Sequence, residues 1–227
     1  KLAESLGDTL AGFEADLTAM QTLGFFDALD PHASAPALLK SASTRIVYDV
    51  DRFSRTQQLH PTDPTKWEPA LGATLARETH SADPLPPQGL KIQISVSSSD
   101  GFGREIQKKV QAEPGPLVEG GPTVTPRWVG SGWTISNNKG KPVRQYEPFF
   151  SATHRFEFAR IIGVSPVLFY DPLERVVSTL HPNHTYEKVL LDPWQQATWD
   201  VNDTLTLDPK VRADAIAYCA KSPGRGC

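Results

Sequence analysis

The residues most suggestive of chemistry lie between His181 and Glu187, where His181-Pro182-Asn183-His184 sets two imidazoles three positions apart with a carboxylate close behind. Two such rings could begin a metal site. In a strand, however, positions i and i+3 point to opposite faces, so the rings converge only if Pro182 turns the chain, and no third ligand pair stands at metal-site spacing. A structural turn is the preferred reading, and no metal or cofactor is expected. His60, His80 and His154 sit in Pro-rich or polar stretches and read as solvated loop histidines. The nucleophile motif Gly-x-Ser-x-Gly is missing, although Gly130-Ser131-Gly132 approaches it. Gly101-Phe102-Gly103 lacks the third glycine of a dinucleotide fingerprint, and Gly140-Lys141 is followed by Pro142 where a phosphate loop needs Ser or Thr. Glu147 with Glu157, or Asp200 with Asp203, could do acid-base work only if buried at a defined separation. Surface positions are expected for all four. No enzymatic activity is therefore expected.

Trp67, Trp128, Trp133, Trp194 and Trp199, with Tyr146 and Tyr186, could make a sugar-binding platform. The favoured alternative is a packed inner sheet face, because aromatic side chains are enriched in strands and in cross-strand pairs.

Positioning any of these groups falls to elements that the composition restricts. Among 227 residues, 20 are proline and 16 glycine, which interrupts the chain too often for long helices and favours short strands and turns. Hydrophobic residues make up 39% and charged ones 22%, with 23 Lys+Arg against 26 Asp+Glu for a net charge of −3. That balance argues against a dedicated nucleic-acid or anionic-membrane binder, which would carry a clustered basic excess. No apolar run approaches the ~20 residues of a membrane span, and no leader precedes the first structured segment. The chain starts at Lys1 and ends at Arg225-Gly226-Cys227, so both ends read as excision points. Cys219 and Cys227 have no zinc spacing, and they leave a terminal disulfide and the redox compartment open.

Leu6, Leu10, Phe13, Leu17 and Met20 recur at helical spacing, with Gly24 placed to close that helix and Pro31 to prevent its continuing. Pro36 suits the first turn of another short helix over 37–40. From Thr44 the period becomes two: Ile46, Tyr48 and Val50 alternate with Arg45, Val47 and Asp49, and Leu90, Ile92, Ile94 and Val96 repeat the pattern. Alternation returns at Val129, Ser131, Trp133 and Ile135, and Asn137-Asn138-Lys139-Gly140 then supplies a hairpin turn before 142–146. Further strands are predicted over 167–170, 175–180, 186–191 and 196–200, in a meander. Residues 58–69 and 81–89 read as long surface loops. The expected organisation is a helical lead-in over 1–43, a β region over 44–209 and a tail over 210–227.

One short pattern repeats: Asp, any residue, a large apolar residue, any residue, then Arg or Gln. It occurs at Asp51-Arg52-Phe53-Ser54-Arg55, Asp100-Gly101-Phe102-Gly103-Arg104, Asp171-Pro172-Leu173-Glu174-Arg175 and Asp192-Pro193-Trp194-Gln195-Gln196. Each copy is predicted to be a strand-turn-strand unit: Asp caps the turn, Gly or Pro supplies the dihedral, the large apolar residue folds inward, and Arg begins the next strand. Truncating Phe102 or Leu173 would then destabilise the assembled protein locally by about 2 to 5 kcal/mol, as for buried apolar residues.

The runs Phe169-Tyr170-Asp171-Pro172-Leu173-Glu174-Arg175 and Ile46-Val47-Tyr48-Asp49 resemble the Tyr-Asp repeats of Rhs proteins. Residues 99–109, 137–151 and 180–189 resemble the B component of insecticidal toxin complexes, and the likeness covers about residues 1 to 209. The resemblance implies a mainly β fold in which an antiparallel sheet spirals into a hollow shell, built jointly with the C component around a toxic effector. It further implies a pore-forming A component as partner through the rest of the B chain, and export to the extracellular space after assembly in the cytoplasm. The autoproteolytic aspartates of that family belong to the C component and have no counterpart here. After Asp208-Pro209-Lys210 the chain departs from the family, and 211–220 reads as an unrelated short helix. The alternative function is a self-standing Rhs-type surface module that binds carbohydrate through exposed aromatics.

Overall fold

The computed structural model of the chain describes residues 9, 10, 12–87 and 89–204. Leu6, both cysteines and the helix expected over 211–220 lie outside the described residues. In chain order the elements are α1 (Ala19–Asp27), α2 (Ala35–Leu39), β1 (Thr44–Asp49), α3 (Arg52–Leu59), β2 (Ala70–Arg77), β3 (Ile92–Ser99), β4 (Glu105–Ala112), β5 (Gly115–Pro116), β6 (Thr123–Val124), β7 (Arg127–Gly130), β8 (Thr134–Ser136), β9 (Pro142–Gln145), β10 (Phe149–Ser151), β11 (Val167–Tyr170), β12 (Val176–Leu180), β13 (Tyr186–Leu191) and β14 (Gln196–Trp199). The fold is mainly antiparallel β, with few helices and a short one near the N-terminus. Contacts divide the chain into two units, Lys1–Gly132 with Pro148–Arg160 and Trp133–Glu147 with Ile161–Cys227. The stretch 44–209 contributes to both.

In the first unit a sheet of order β1-β2-β3-β4-β7-β10 buries one face. Val47 of β1 sits opposite Ala73, Ala73 opposite Val96, and Leu75 opposite Ile94. These residues form one core with Phe25 and Phe26 of α1, Leu38 and Leu39 of α2, and Trp128 of β7. At Gly130 the backbone must pass under a ring: an added Cβ would come within 2.7 Å of Phe149 Cζ, so glycine lets Phe149 lie across β7.

Several local expectations are corrected. Among the described residues the first helix does not follow the predicted apolar spacing. It begins at Ala19, where Thr18 and Gln21 form a capping box: the Gln21 N–H donates to Thr18 Oγ1 at 3.2 Å and the Thr18 N–H donates to Gln21 Oε1 at 2.9 Å. Leu10 and Met20 are exposed, and Gly24 lies inside the helix rather than at its end. In β1 the buried set is Arg45, Val47 and Asp49, so Ile46, Tyr48 and Val50 face outward. Hydrogen bonding decides this inversion. Arg45 donates to the carbonyls of Leu38 (2.8 Å), Glu14 (2.5 Å) and Ala15 (3.3 Å) and lies 4.3 Å from the Phe13 ring centroid. A charge satisfied this fully is tolerated in the interior. The strand expected from Val129 to Ile135 is two strands, because β7 stops at Gly130 and β8 starts at Thr134. Strands β2, β4 and β10, by contrast, gave no alternation strong enough to single out.

The second unit is the meander β11-β12-β13-β14 together with the hairpin β8-β9. Its strands match the predicted ranges to within a residue at most ends, because Pro172, Pro182 and Pro193 mark the turns between them. The β8-β9 hairpin is fastened to the meander by Tyr170 Oη donating to the Pro142 carbonyl at 2.7 Å and Lys139 Nζ donating to that of Pro172 at 3.0 Å. No residue of these six strands is fully buried.

Candidate functional site

The repeated pattern builds the same small machine at Asp100 and Asp171. In each hairpin the Asp N–H donates to the carbonyl of the fifth residue, Arg104 or Arg175, at 3.0 and 2.9 Å. The N–H of the fourth residue returns to the Asp carbonyl at 3.0 Å in both. The fourth position is left-handed, with φ 76° at Gly103 and 65° at Glu174. A turn of this bonding closed by a left-handed residue is a common three-residue hairpin connection. Asp100 Oδ1 accepts the N–H groups of Phe102 (2.9 Å) and Arg104 (3.0 Å), while Oδ2 accepts Arg104 Nε at 2.7 Å. Asp171 accepts the Arg175 N–H at 2.9 Å and Arg175 Nε at 2.7 Å.

These bonds hold the carboxyls low. For Asp171 the backbone N–H of Arg175 is the leading cause, and for Asp192 it is the N–H of Trp194 followed by that of Gln195. At Asp100, burial pushes upward and is outweighed by the hydrogen bonds from Arg104 and Phe102.

Two further copies were invisible to the pattern because their first, third and fifth residues all depart from it: Asn137, Lys139 and Lys141 in one, His181, Asn183 and Thr185 in the other. Asn137 uses Oδ1 to accept the N–H groups of Lys139 (2.9 Å) and Lys141 (3.0 Å), with Gly140 at φ 82°. The chain at His181 has the same backbone frame: the His181 N–H donates to the Thr185 carbonyl at 2.8 Å and His184 sits at φ 67°. At Asn137 the fourth residue, Gly140, was a legible signal of positive φ, whereas at His181 the fourth residue is His184, whose type gives none. Asp192 differs, closing one residue earlier with its N–H donating to the Gln195 carbonyl at 3.0 Å.

The remaining copy is corrected. Asp51 stands at the N-terminus of α3 without a side-chain cap bond, so Asp51-Arg52-Phe53-Ser54-Arg55 is a helical turn rather than a hairpin. It offers neither Gly nor Pro, and Arg52 is drawn inward by carboxylates. The inward folding of the apolar residue is also overturned: Phe102 is 87% exposed, Leu173 72%, Trp194 93% and Phe53 45%. At the third position of so tight a loop, the side chain stands at the turn tip, beyond the sheet that could cover it.

What sequence reasoning missed is a layer of buried charge in the first unit. Arg52 donates Nη1 to Asp49 (3.2 Å), Nη2 to Asp27 (3.0 Å) and Nε to Glu68. Arg55 grips both oxygens of Asp49 at 2.9 and 2.7 Å. Burial alone would raise the Asp49 carboxyl, but the hydrogen bonds from Arg55 and Arg52 hold it below the usual range. On β4, Lys109 Nζ donates to Glu157, to the Thr153 carbonyl (2.8 Å) and to Ser151 Oγ (3.2 Å), 5.6 Å from the Phe149 ring centroid. Burial lowers the Lys109 ammonium and Glu157 offsets it in part. Asp49 belongs to the Tyr-Asp motif seen in sequence; Lys109 had no signal, since β4 showed no alternation strong enough to single out.

The other candidates disperse. His181 Nε2 lies 3.4 Å from Glu187, and among the described residues no three His, Cys, Asp or Glu side chains gather as a metal would require. His154, expected in solvent, is buried. Glu157 pairs with Lys109, while Asp200 and Asp203 cap a turn, Asp200 Oδ1 accepting the N–H groups of Asn202 (2.8 Å) and Asp203 (2.9 Å). Trp128 is interior to the first unit, whereas Trp194 of the second is exposed. A hollow on β13-β14 is lined by Leu190, Leu191, Asp192, Gln195, Ala197 and Trp199, and its only acid is the turn cap Asp192.

No protein-family model matches the chain, and no curated protein matches it either. Solved structures do. One titled as the crystal structure of TcdB2-TccC3 superposes with a TM-score of 0.57 at 24% identity over 83% of this chain, and the TcdB2-TccC3-Cdc42 structure gives 0.56 at 22% over 80%. A Photorhabdus luminescens Tc holotoxin pore with a substituted TccC3 gives 0.53 at 25% over 70%. The chain spans 9%, 11% and 8% of those chains. Its fold is therefore that of a segment of the Rhs-related toxin-complex B/C structures.

Proposed function

We propose that this chain is a non-catalytic wall segment of a toxin-complex B-type shell, which encloses an effector together with a C-type component. The observation that carries the reading is the sheet β11-β14. Val167, Leu168, Phe169, Val177, Leu180, Val189 and Leu191 lie in its strands, and none of them is fully buried. At about 25 cal/mol per Å² of apolar surface, a sheet that leaves such side chains half covered is stabilised by whatever covers them later. Among the described residues β14 also pairs on one edge only, with β13. An open edge with an uncovered face is what a piece of a larger continuous sheet presents. Mechanism in this reading is exclusion: a wall keeps the effector from solvent and proteases until a pore-forming A-type partner, reached through the rest of the B chain, opens a path. The assembly would form in the producing cell's cytoplasm and act outside it. The fold shared with TcdB2-TccC3 structures supports this assignment.

The test compares the 227-residue protein alone with the protein co-expressed with a C-type component, using light scattering, thermal unfolding and amide exchange. Alone, the β11-β14 amides should exchange fast and the second unit should melt in its own transition, earlier than the first, with protection gained on assembly. A monodisperse monomer with one cooperative transition that protects β11-β14 would overturn the wall reading. In that case a selective hit on a glycan array would favour the carbohydrate-binding module, for which the protruding Trp194 is the natural contact.

A further inference from the structure

The first unit buries an imidazole that neither the turns nor the wall reading uses. His154 follows β10, is 2% exposed, and its Nε2 lies 2.8 Å from the carbonyl oxygen of Phe26, in the last turn of α1. A carbonyl can only accept, so the neutral ring carries its proton on Nε2 and presents Nδ1 as a bare nitrogen. Nδ1 is buried without a hydrogen-bond partner. The Trp128 ring packs beside it, centroids 5.5 Å apart. The next residue reaches the same helix end, Arg155 Nη2 donating to the Asp27 carbonyl at 2.9 Å. The end of α1, which delivers Phe25 and Phe26 to the core, is thus tied down by two consecutive residues from a distant stretch of chain.

The charges that act on the His154 ring are cationic. Arg155 beside it, Lys109 from β4 and Arg52 from α3 all act on it as cations. The carboxylates of the same layer are engaged: Asp27, Asp49 and Glu68 by Arg52, Asp49 also by Arg55, and Glu157 by Lys109. Beyond Trp128, His32 places Nδ1 3.3 Å from an Asp30 carboxylate oxygen and Nε2 2.9 Å from the Ile92 carbonyl oxygen. A proton added at Nδ1 would create a buried donor with no acceptor and a fourth cation among three.

We propose that the hydrogen bond from His154 to Phe26 is an acid-released clasp: the neutral imidazole fastens the last turn of α1 onto the buried face of the sheet, and protonation of Nδ1 opens it. Burial, only partly offset by the Phe26 bond, and the surrounding cations place the imidazole below the ordinary histidine range. With the folded value depressed, the contribution is complete above the unfolded value of about 6.5 and is lost as pH falls through the folded one. The clasp stands whether or not the chain is a shell wall.

The experiment is an NMR titration of the histidine rings of the 227-residue protein, with amide exchange of residues 25–28 followed from pH 7.5 to pH 5 and corrected for intrinsic rates. His154 should titrate below the exposed histidines, and exchange at 25–28 should accelerate at least about tenfold as the neutral ring is lost. The β2 and β3 amides should stay protected. His154→Gln, whose amide donates without titrating, should keep the protection seen at pH 7.5 and lose its acid dependence. Equal acceleration in the variant and the parent would overturn the clasp. If the variant does not fold, the parent alone decides, since a His154 midpoint at or above about 6.5 would refute the proposal.

Discussion

Asp171 holds Arg175 twice, accepting its backbone N–H at 2.9 Å and its Nε at 2.7 Å, and Asp100 holds Arg104 in the same two ways at 3.0 and 2.7 Å. One carboxylate therefore fixes both the turn and the first side chain of the returning strand. The relationship is local, complete within five residues, and needs no tertiary support.

Replacing Asp100 or Asp171 should expose this division of labour. Asp→Asn keeps an oxygen for the backbone N–H but loses the charged pairing, whereas Asp→Ala loses both. The denaturant midpoint should fall more for Ala than for Asn at each turn. Both carboxyls are depressed, so their contribution is present above the unfolded value of about 3.9 and is lost as pH falls through the folded one. An Asn variant as damaging as Ala would show that the Arg pairing dominates.

Glu174 and His184 occupy left-handed turn positions that Gly103 and Gly140 occupy in the sister hairpins. A side chain there is strained by its Cβ, so Glu174→Gly and His184→Gly should each stabilise by about 0.5 to 1 kcal/mol. Glu174 also lies 3.2 Å from Lys141 and 3.8 Å from Lys139, exposed pairs that add only a few tenths. Thermal unfolding reads the sign directly, and a fall in Tm for both variants would contradict the argument.

Truncation should separate turn tips from core. Phe102→Ala and Trp194→Ala should change the stability of the chain by less than about 0.5 kcal/mol, as exposed substitutions do. Trp128→Ala should cost about 3 to 5 kcal/mol, because Trp128 fills the centre of the first unit. Equilibrium denaturation of the three variants provides the comparison.

Gly130→Ala should cost about 1 to 3 kcal/mol, since its Cβ would press on Phe149 at 2.7 Å. Phe149→Leu in the same chain should recover part of that loss, a coupling that a double-mutant cycle measures. Additive effects would mean that the ring is not what excludes a side chain there.

Asp49→Ala should cost about 3 kcal/mol, because it leaves Arg52 and Arg55 short of the carboxylate they share in the interior. Being depressed, the Asp49 carboxyl also stabilises fully only above about pH 3.9, with the benefit fading below it. A variant with unchanged stability at pH 7 and a parent with no acid loss would together remove the buried pair from the account.

By itself the sequence determined the elements whose causes are local. Prolines 172, 182 and 193 separate four strands, Asn137 to Gly140 make a hairpin, and Asp100 and Asp171 cap their own turns, because each effect is completed within a few residues. The likeness of those runs to Rhs repeats came from the same local grammar. Only the tertiary structure decided which face of a strand is inside. Ile46, Tyr48 and Val50 had the apolar pattern, yet Arg45 and Asp49 are buried instead, since partners from Glu14, Leu38, Arg52 and Arg55 satisfy them. Likewise Asp51 begins a helix because Arg52 is claimed by Asp27 and Glu68, and His154 is interior because Phe26 offers it a carbonyl. Alternation in one strand carries no information about such partners, which stand from 3 to 128 residues away, and the desolvation of a charge is settled by them.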